Sequence, residues 1–257
     1  MTTGASISGL STDLKTGLAF LTRLPFLGSE ATWTGSDIAR ASWTFPIVGA
    51  GIGALGALIY WLAHGLGLHA FVCGVLAVAA TLLVTGCLHE DGLADTADGF
   101  GGGTSPARKL EIMRDSQLGT YGAAALTLSL MLRVGAIASL AEPALVAPAL
   151  IAAHAGARAV MPVFMRRVPR ARQDGLSADA GEPPQQSSVL AVAIGVVVVL
   201  LCLGFGATLV TVLLLAVAIG LLAWLSIRQI GGQTGDVLGA VEQVSEIVIL
   251  LVAAAWL

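Results

Sequence analysis

The sequence is poor in charge and in cysteine. Asp, Glu, Lys and Arg together make up only 11% of the 257 residues, and the formal net charge is −3. So small a net charge argues against a nucleic-acid partner, because such partners select for a basic surface. The three cysteines, Cys73, Cys87 and Cys202, lie in apolar segments without CxxC or Cys/His spacing. That pattern argues against disulfides and a zinc site, and favours small core residues.

Apolar residues dominate instead. They make up 56% of the chain, the mean hydropathy is +0.87, and the 32 glycines suit close helix–helix contacts in lipid. These values predict an all-α, polytopic integral membrane protein. We find no soluble domain, no repeat of 20–50 residues and no clear signal peptide in the sequence. We therefore expect one membrane-embedded domain over residues 1–257.

Apolar runs predict about seven membrane-spanning helices, most of them long enough to cross about 30 Å of hydrocarbon at roughly 1.5 Å per residue. The break at 204–206 is either a kink in one long helix or a tight external turn. We favour the turn, because 189–227 is too long for a single span. The predicted spans are 43–63, 70–88, 119–140, 144–165, 189–203, 207–227 and 237–256.

An amphipathic helix is predicted before the first span, within an N-terminal interfacial segment of residues 1–42. Leu10, Leu14, Leu18 and Leu21 recur there at helical spacing, which is typical of a helix lying at the membrane surface. A lipid bilayer is therefore the first expected partner of the chain.

Lys and Arg predict the orientation in the membrane. They occur before the first predicted span and in every second connection after it, whereas the other connections carry none. The positive-inside rule then gives a multi-pass protein of the bacterial cytoplasmic (inner) membrane with a cytoplasmic N-terminus and an external C-terminus. The polar segments 82–120, 166–186 and 231–236 all fall on the cytoplasmic side. We therefore expect an active site on that face.

A group of acids is the strongest chemical signal. At about 100° per residue, Asp91, Asp95 and Asp98 share one helix face, and Glu111 and Asp115 at i and i+4 would share a face of a second helix. Like charges at this spacing repel, so a helix gains nothing from them alone. Divalent cations would account for the cluster, and oxygen ligands favour Mg²⁺, Mn²⁺ or Ca²⁺ over zinc. We predict a Mg²⁺ site for phosphoryl chemistry; the alternative is a solvated helix end.

Other polar residues keep two interpretations each. His89, beside the acids, is either an interfacial polar residue or a proton acceptor or phosphate donor. The glycine-rich turn at 231–236 is either a plain loop or a substrate or metal contact. Arg158, inside a predicted span, either snorkels to the interface or clamps a phosphate. Ionisable residues deeper in the spans are expected to face a polar cavity or a partner: Arg133, His154, Glu242 and Glu246.

Five segments together resemble the cobalamin synthase family, over nearly the whole chain. They are LTRLP at 21–25, FPIVG at 45–49, HEDGLADTADG at 89–99, LEIMRDSQLGTYG at 110–122 and GQTGDVLG at 232–239. The resemblance implies a Mg²⁺-dependent transferase. In the implied reaction, a ribose hydroxyl of α-ribazole or α-ribazole 5′-phosphate would attack adenosylcobinamide-GDP, GMP would leave, and adenosylcobalamin or its 5′-phosphate would form. The family resemblance gives little weight to Glu90.

The family is in turn similar to the CDP-alcohol phosphotransferases. That likeness implies that Asp95, Asp98 and Glu111 ligate metal, that Asp91 is an added ligand and that Asp115 takes the hydroxyl proton. His89 is the second catalytic candidate. The candidates for substrate binding are Arg23, Arg114, Arg158, Arg166, Gln233, Thr234 and Asp236.

Three rival functions are kept. The nearest is a CDP-alcohol phosphotransferase acting on a lipid. A transporter or channel would use the intramembrane charges, but the predicted external connections are nearly bare of polar residues. A structural scaffold leaves the acids unexplained. The form of ribazole, the number of metals and the oligomeric state, including a homo-oligomer, stay open.

Overall fold

The computed structural model describes residues 7–24, 34–175 and 180–257, and these ranges are helical apart from connections and one isolated bridge between Arg170 and Gln233. The predicted all-α membrane class is confirmed. The helices of the described ranges are α1 Ile7–Leu21, α2 Gly35–Ala41, α3 Phe45–Gly65, α4 Ala70–Thr85, α5 Leu88–Gly102, α6 Pro106–Ile112, α7 Thr120–Leu140, α8 Pro143–Arg167, α9 Gln185–Ile230 and α10 Gly235–Trp256.

Five segments are long and apolar enough to cross a membrane: Gly35–Gly65, α7, α8, α9 and α10. The bent pair of α4 and α5 makes a sixth if it counts as one span. Within that pair α4 is the apolar part. Because α5 carries four acids in 15 residues, we place it outside the spanning segments.

The long helix α9 contains a sharp break. Gly204 has φ 77° and ψ 173°, far from helical values. Val192 and Ile219 nevertheless line the same cavity beside α8. In a straight helix these two residues would lie about 40 Å apart, at 1.5 Å rise per residue. The chain therefore turns back at Gly204, and the two halves of α9 lie side by side against α8.

The predicted N-terminal helix is present as α1. Leu21 packs with Phe45, Val48 and Ile52 at the start of α3. Asp13 of α1 accepts a hydrogen bond from the Trp43 indole at 2.9 Å. The segment after α1 contacts the end of α4, where the Arg23 N–H donates to the Val84 carbonyl oxygen at 2.8 Å. Pro25 of LTRLP lies outside the described residues.

Close backbone contacts set the position of α5. A Cβ at Gly92 would lie 2.7 Å from the Asp236 carbonyl oxygen, and one at Gly239 would lie 2.9 Å from that of His89. Such spacing is too short for any side chain, so the glycines let α5 lie directly on α10. At its start, α5 leaves α4 at 90° through two consecutive left-handed residues, Gly86 and Cys87. This corner swings the acids away from the axis of α4.

Candidate active site

A cavity of about 550 Å³ opens between α4, α5, α7 and the connection that follows α6. Its volume lies within the range of small-molecule sites. Leu82, Leu126 and Leu130 form an apolar wall. The polar wall consists of Glu90, Asp91, Asp95, Arg114, Asp115, Ser116 and Gln117. The structure thus brings together one helix end and one loop that the sequence singled out.

Asp91 and Asp95 are the unpaired acids of this wall. Asp91 is exposed and Asp95 is half-buried, and neither has a hydrogen-bond or ion-pair partner within the described ranges. Burial, together with the carboxylates of Asp91, Asp236 and Asp98, raises the pKa of Asp95 to about 7, against an opposing effect of Arg172. Crowded carboxylates that lack a counter-charge favour a bound cation or a proton. The oxygen-only donor set fits Mg²⁺.

Asp98 has a different position. It is buried, and its two oxygens accept the backbone N–H groups of Gly119 and Gly122, each at 2.8 Å. A Cβ on either glycine would overlap the carboxylate. Asp98 therefore anchors the end of α5 to the N-terminus of α7, where backbone N–H groups favour an anion.

Glu111 and Asp115 do not share a helix face, so that prediction is wrong. Helix α6 ends at Ile112, and Asp115 follows in a turn in which its Oδ1 accepts the N–H of Gln117 at 3.1 Å. Such a side-chain bond competes with continuation of a helix. Asp115 lines the cavity, whereas Glu111 is solvent-exposed and pairs with Arg108 at 2.7 Å.

The predicted arginines are spread over several places. Arg114 lines the cavity and binds both oxygens of Asp174 at 2.6 Å. Arg23 is exposed and packs on Gly86 at the corner between α4 and α5. Arg166 lies outside this cavity, with Glu182 at 3.0 Å.

The turn before α10 reaches α5 from the other side. Thr234 caps α10 by accepting the N–H of Val237, and its hydroxyl lies 3.1 Å from Asp236, which also binds Arg172 at 3.1 Å. Gln233 is buried and exchanges backbone hydrogen bonds with the segment 169–171. A smaller cavity there is lined by Asp236, His89 and Asp91, together with apolar residues. Asp91 therefore lies between two cavities.

A buried charged network lies behind α5. Arg158 is 1% exposed and binds Glu242 at 2.6 Å, and His89 Nδ1 is 3.4 Å from the same carboxyl group. The structure thus places Arg158 and His89 in the core. Arg133 joins Glu90 at 2.8 Å and Glu246 at 2.8 Å.

This network was only partly foreseen. The sequence shows acids and arginines inside the spans, which is the signal for buried pairs. His154, Glu242 and Glu246 bring ligand atoms within 4.8 Å of one another. Because Arg158 and Arg133 already contact the two carboxylates, a metal ion there would face two guanidinium groups. We therefore assign this cluster to structure.

Comparison with known proteins identifies the chain. The family model for cobalamin-5-phosphate synthase matches residues 13–254. An adenosylcobinamide-GDP ribazoletransferase of Bradyrhizobium diazoefficiens is 55% identical over 251 residues, covering 98% of this chain and 96% of that protein. Proteins of the same name from Mesorhizobium japonicum and Azorhizobium caulinodans are each 45% identical, covering 95% of this chain and 93% and 96% of their own. No solved structure matches. The chain therefore belongs to the cobalamin-5-phosphate synthase family, as its motifs predicted.

Proposed function

We propose that this chain transfers the adenosylcobinamide-phosphate group from adenosylcobinamide-GDP to α-ribazole or α-ribazole 5′-phosphate in the cavity beside α5. Family membership and the names of the relatives support the reaction. The location of the reaction is supported by Asp91 and Asp95, two acids without partners among the described residues, on the wall of that cavity.

The same acids would hold Mg²⁺. When bound, the ion would neutralise phosphate charge and stabilise the leaving oxygen of GMP. We propose Asp91 and Asp95 as its ligands, with Asp236 close by. The two other predicted ligands hold less favourable places, because Asp98 is engaged with α7 and Glu111 with Arg108.

The remaining residues of the wall suit substrate handling. Asp115 is exposed beside the acids and would take the proton of the attacking ribose hydroxyl. Arg114 would bind phosphate, which its planar guanidinium matches in shape. The phosphate would replace Asp174 as the partner of Arg114. In this displacement the acceptor oxygen bonds to phosphorus, the bond to GMP breaks and the proton passes to Asp115.

The finer topology also belongs to this proposal. Seven crossings follow if α4 and each half of α9 cross once, with the cavity and the N-terminus on the cytoplasmic side of the inner membrane. The reversal at Gly204 and the alternation of basic connections support this arrangement. A reporter fused after Leu257 should score as external, and a cytoplasmic score would contradict it.

GMP release tests the reaction. Purified protein in proteoliposomes should release GMP from adenosylcobinamide-GDP only when α-ribazole or its phosphate is present, and EDTA should stop turnover. A CDP-alcohol is the control substrate and should give no product. Turnover that continues in EDTA would remove the metal, and no turnover with either acceptor would remove the reaction.

A further inference from the structure

Helix α5 is held near both ends by side-chain hydrogen bonds and lies against α10 at Gly92 between them. At its C-terminal end, Asp98 accepts two N–H groups of α7. At its N-terminal end, Glu90 is bound by residues of α7 and α10. Asp91 and Asp95 lie between these attachments without partners in the described part of the chain. The position of these two acids is therefore set by the hydrogen bonds of Glu90 and Asp98 and by the contact of Gly92 with α10.

Glu90 belongs to both the network and the cavity. It is 7% exposed, and its Oε1 accepts from Arg133 at 2.8 Å and from the Gln243 amide at 3.0 Å. Its Oε2 is buried without a hydrogen-bond partner among the described residues, although the side chain forms part of the cavity wall beside Asp91. One oxygen is thus fixed, and the other is left unsatisfied next to the unpaired acids.

The donors that hold Glu90 are themselves held. Gln243 Oε1 accepts from the Ser129 hydroxyl at 2.9 Å and from Arg133 at 3.0 Å, which fixes the direction of its amide. Arg133 also binds Glu246 at 2.8 Å, so one guanidinium faces two carboxylates. The positive charge on Arg133 is therefore shared, and Glu90 keeps a surplus of negative charge. A buried carboxylate with an unsatisfied oxygen is costly unless a cation lies near.

We propose that Glu90 is an auxiliary carboxylate of the cation site. Held by Arg133 and Gln243, it strengthens the binding of a divalent cation by Asp91 and Asp95 and keeps the first turn of α5 in place. This inference rests on the proposed metal site. It assigns a role to the one acid of the motif to which the family resemblance gave little weight.

A Mn²⁺ titration without substrate tests the inference. Binding to the purified full chain is measured as the loss of the electron paramagnetic resonance signal of free Mn²⁺. Glu90→Gln keeps the shape and both hydrogen-bond donors but removes the charge. We expect about tenfold weaker Mn²⁺ binding, because one nearby charge is lost. The Mg²⁺ concentration that gives half-maximal GMP release should rise by a similar factor, because the same charge is lost beside the proposed ligands.

Glu246→Gln is the matched control. It makes the same chemical change at a buried acid that also binds Arg133 but does not line the cavity. Its Mn²⁺ affinity should stay within about twofold of wild type, because the lost charge does not face the cavity. Equal losses in both variants, or none in Glu90→Gln, would overturn the inference.

Two further measurements separate the possible failures. If Glu90→Gln does not fold, Gln243→Leu serves instead, because it keeps the charge of Glu90 and removes one of its hydrogen-bond donors. This variant should bind Mn²⁺ about threefold more weakly, which corresponds to the loss of one hydrogen bond. Unchanged binding in Gln243→Leu would overturn the inference. A wild-type chain that binds no Mn²⁺, or binds it equally well after Asp95→Asn, would instead refute the metal site itself.

Discussion

Carboxylates lie on both sides of α5, paired on one side and unpaired on the other within the described residues. On the network side, Glu242 faces Arg158 and Glu246 faces Arg133, at 2.6 and 2.8 Å. On the cavity side, Asp91 has no such partner in the described ranges. A carboxylate whose charge is matched by a guanidinium holds helices together, whereas an unmatched one can receive a cation. Pairing, and not residue type, separates the acids that we assign to structure from the proposed metal ligands.

The largest effect is expected when the unpaired acid Asp95 is replaced. Asp95→Asn should lower the rate of GMP release by about a thousandfold or more, because the proposed metal site would lose one of its two ligands. The protein should keep its thermal transition, since no described residue is paired with Asp95.

Asp37→Asn is the control for this prediction. Asp37 lies in the first turn of α2, where it pairs with Arg40 at 3.1 Å and does not line the cavity. Its substitution should leave the rate within about twofold, because Asp37 lies outside the proposed site. Full activity of Asp95→Asn would end the distinction between the two sides of α5.

The second-largest effect is expected when Arg133 is removed from the buried charged network. Arg133→Leu leaves Glu90 and Glu246 buried without their guanidinium, which should destabilise the fold by about 3–5 kcal/mol. Thermal unfolding in detergent measures it. Arg166→Leu removes a solvent-exposed pair with Glu182 and should cost less than about 1 kcal/mol. Similar melting shifts in both variants would show that the network does not hold the helices together.

The smallest effect tests the anchor at the far end of α5. A Cβ at Gly122 would overlap the Asp98 carboxylate, so Gly122→Ala should cost about 1–3 kcal/mol and lower the rate of GMP release severalfold by shifting α5. Gly135→Ala, on the same helix, has open space around its Cβ and should be neutral or slightly stabilising. Equal rates in the two variants would mean that the Asp98 anchor does not set the position of the site.

Local pattern was enough for much of this protein. Apolar length and scarce charge determined the all-helical membrane class, and leucine spacing determined α1, because both depend on residues a few positions apart. The acidic motif at 89–99 likewise indicated the family and the helix that carries the candidate ligands.

Only the tertiary structure decided which acids are available. Glu90 meets Arg133 across 43 positions and Gln243 across 153, and Asp98 meets Gly119 across 21, so no local spacing could reveal that they are engaged. Helix α6 ends at Ile112, between Glu111 and Asp115. The i, i+4 spacing of these two acids does not reveal where the helix ends. A carboxylate is free or matched according to what packs against it, and packing is a property of the whole fold.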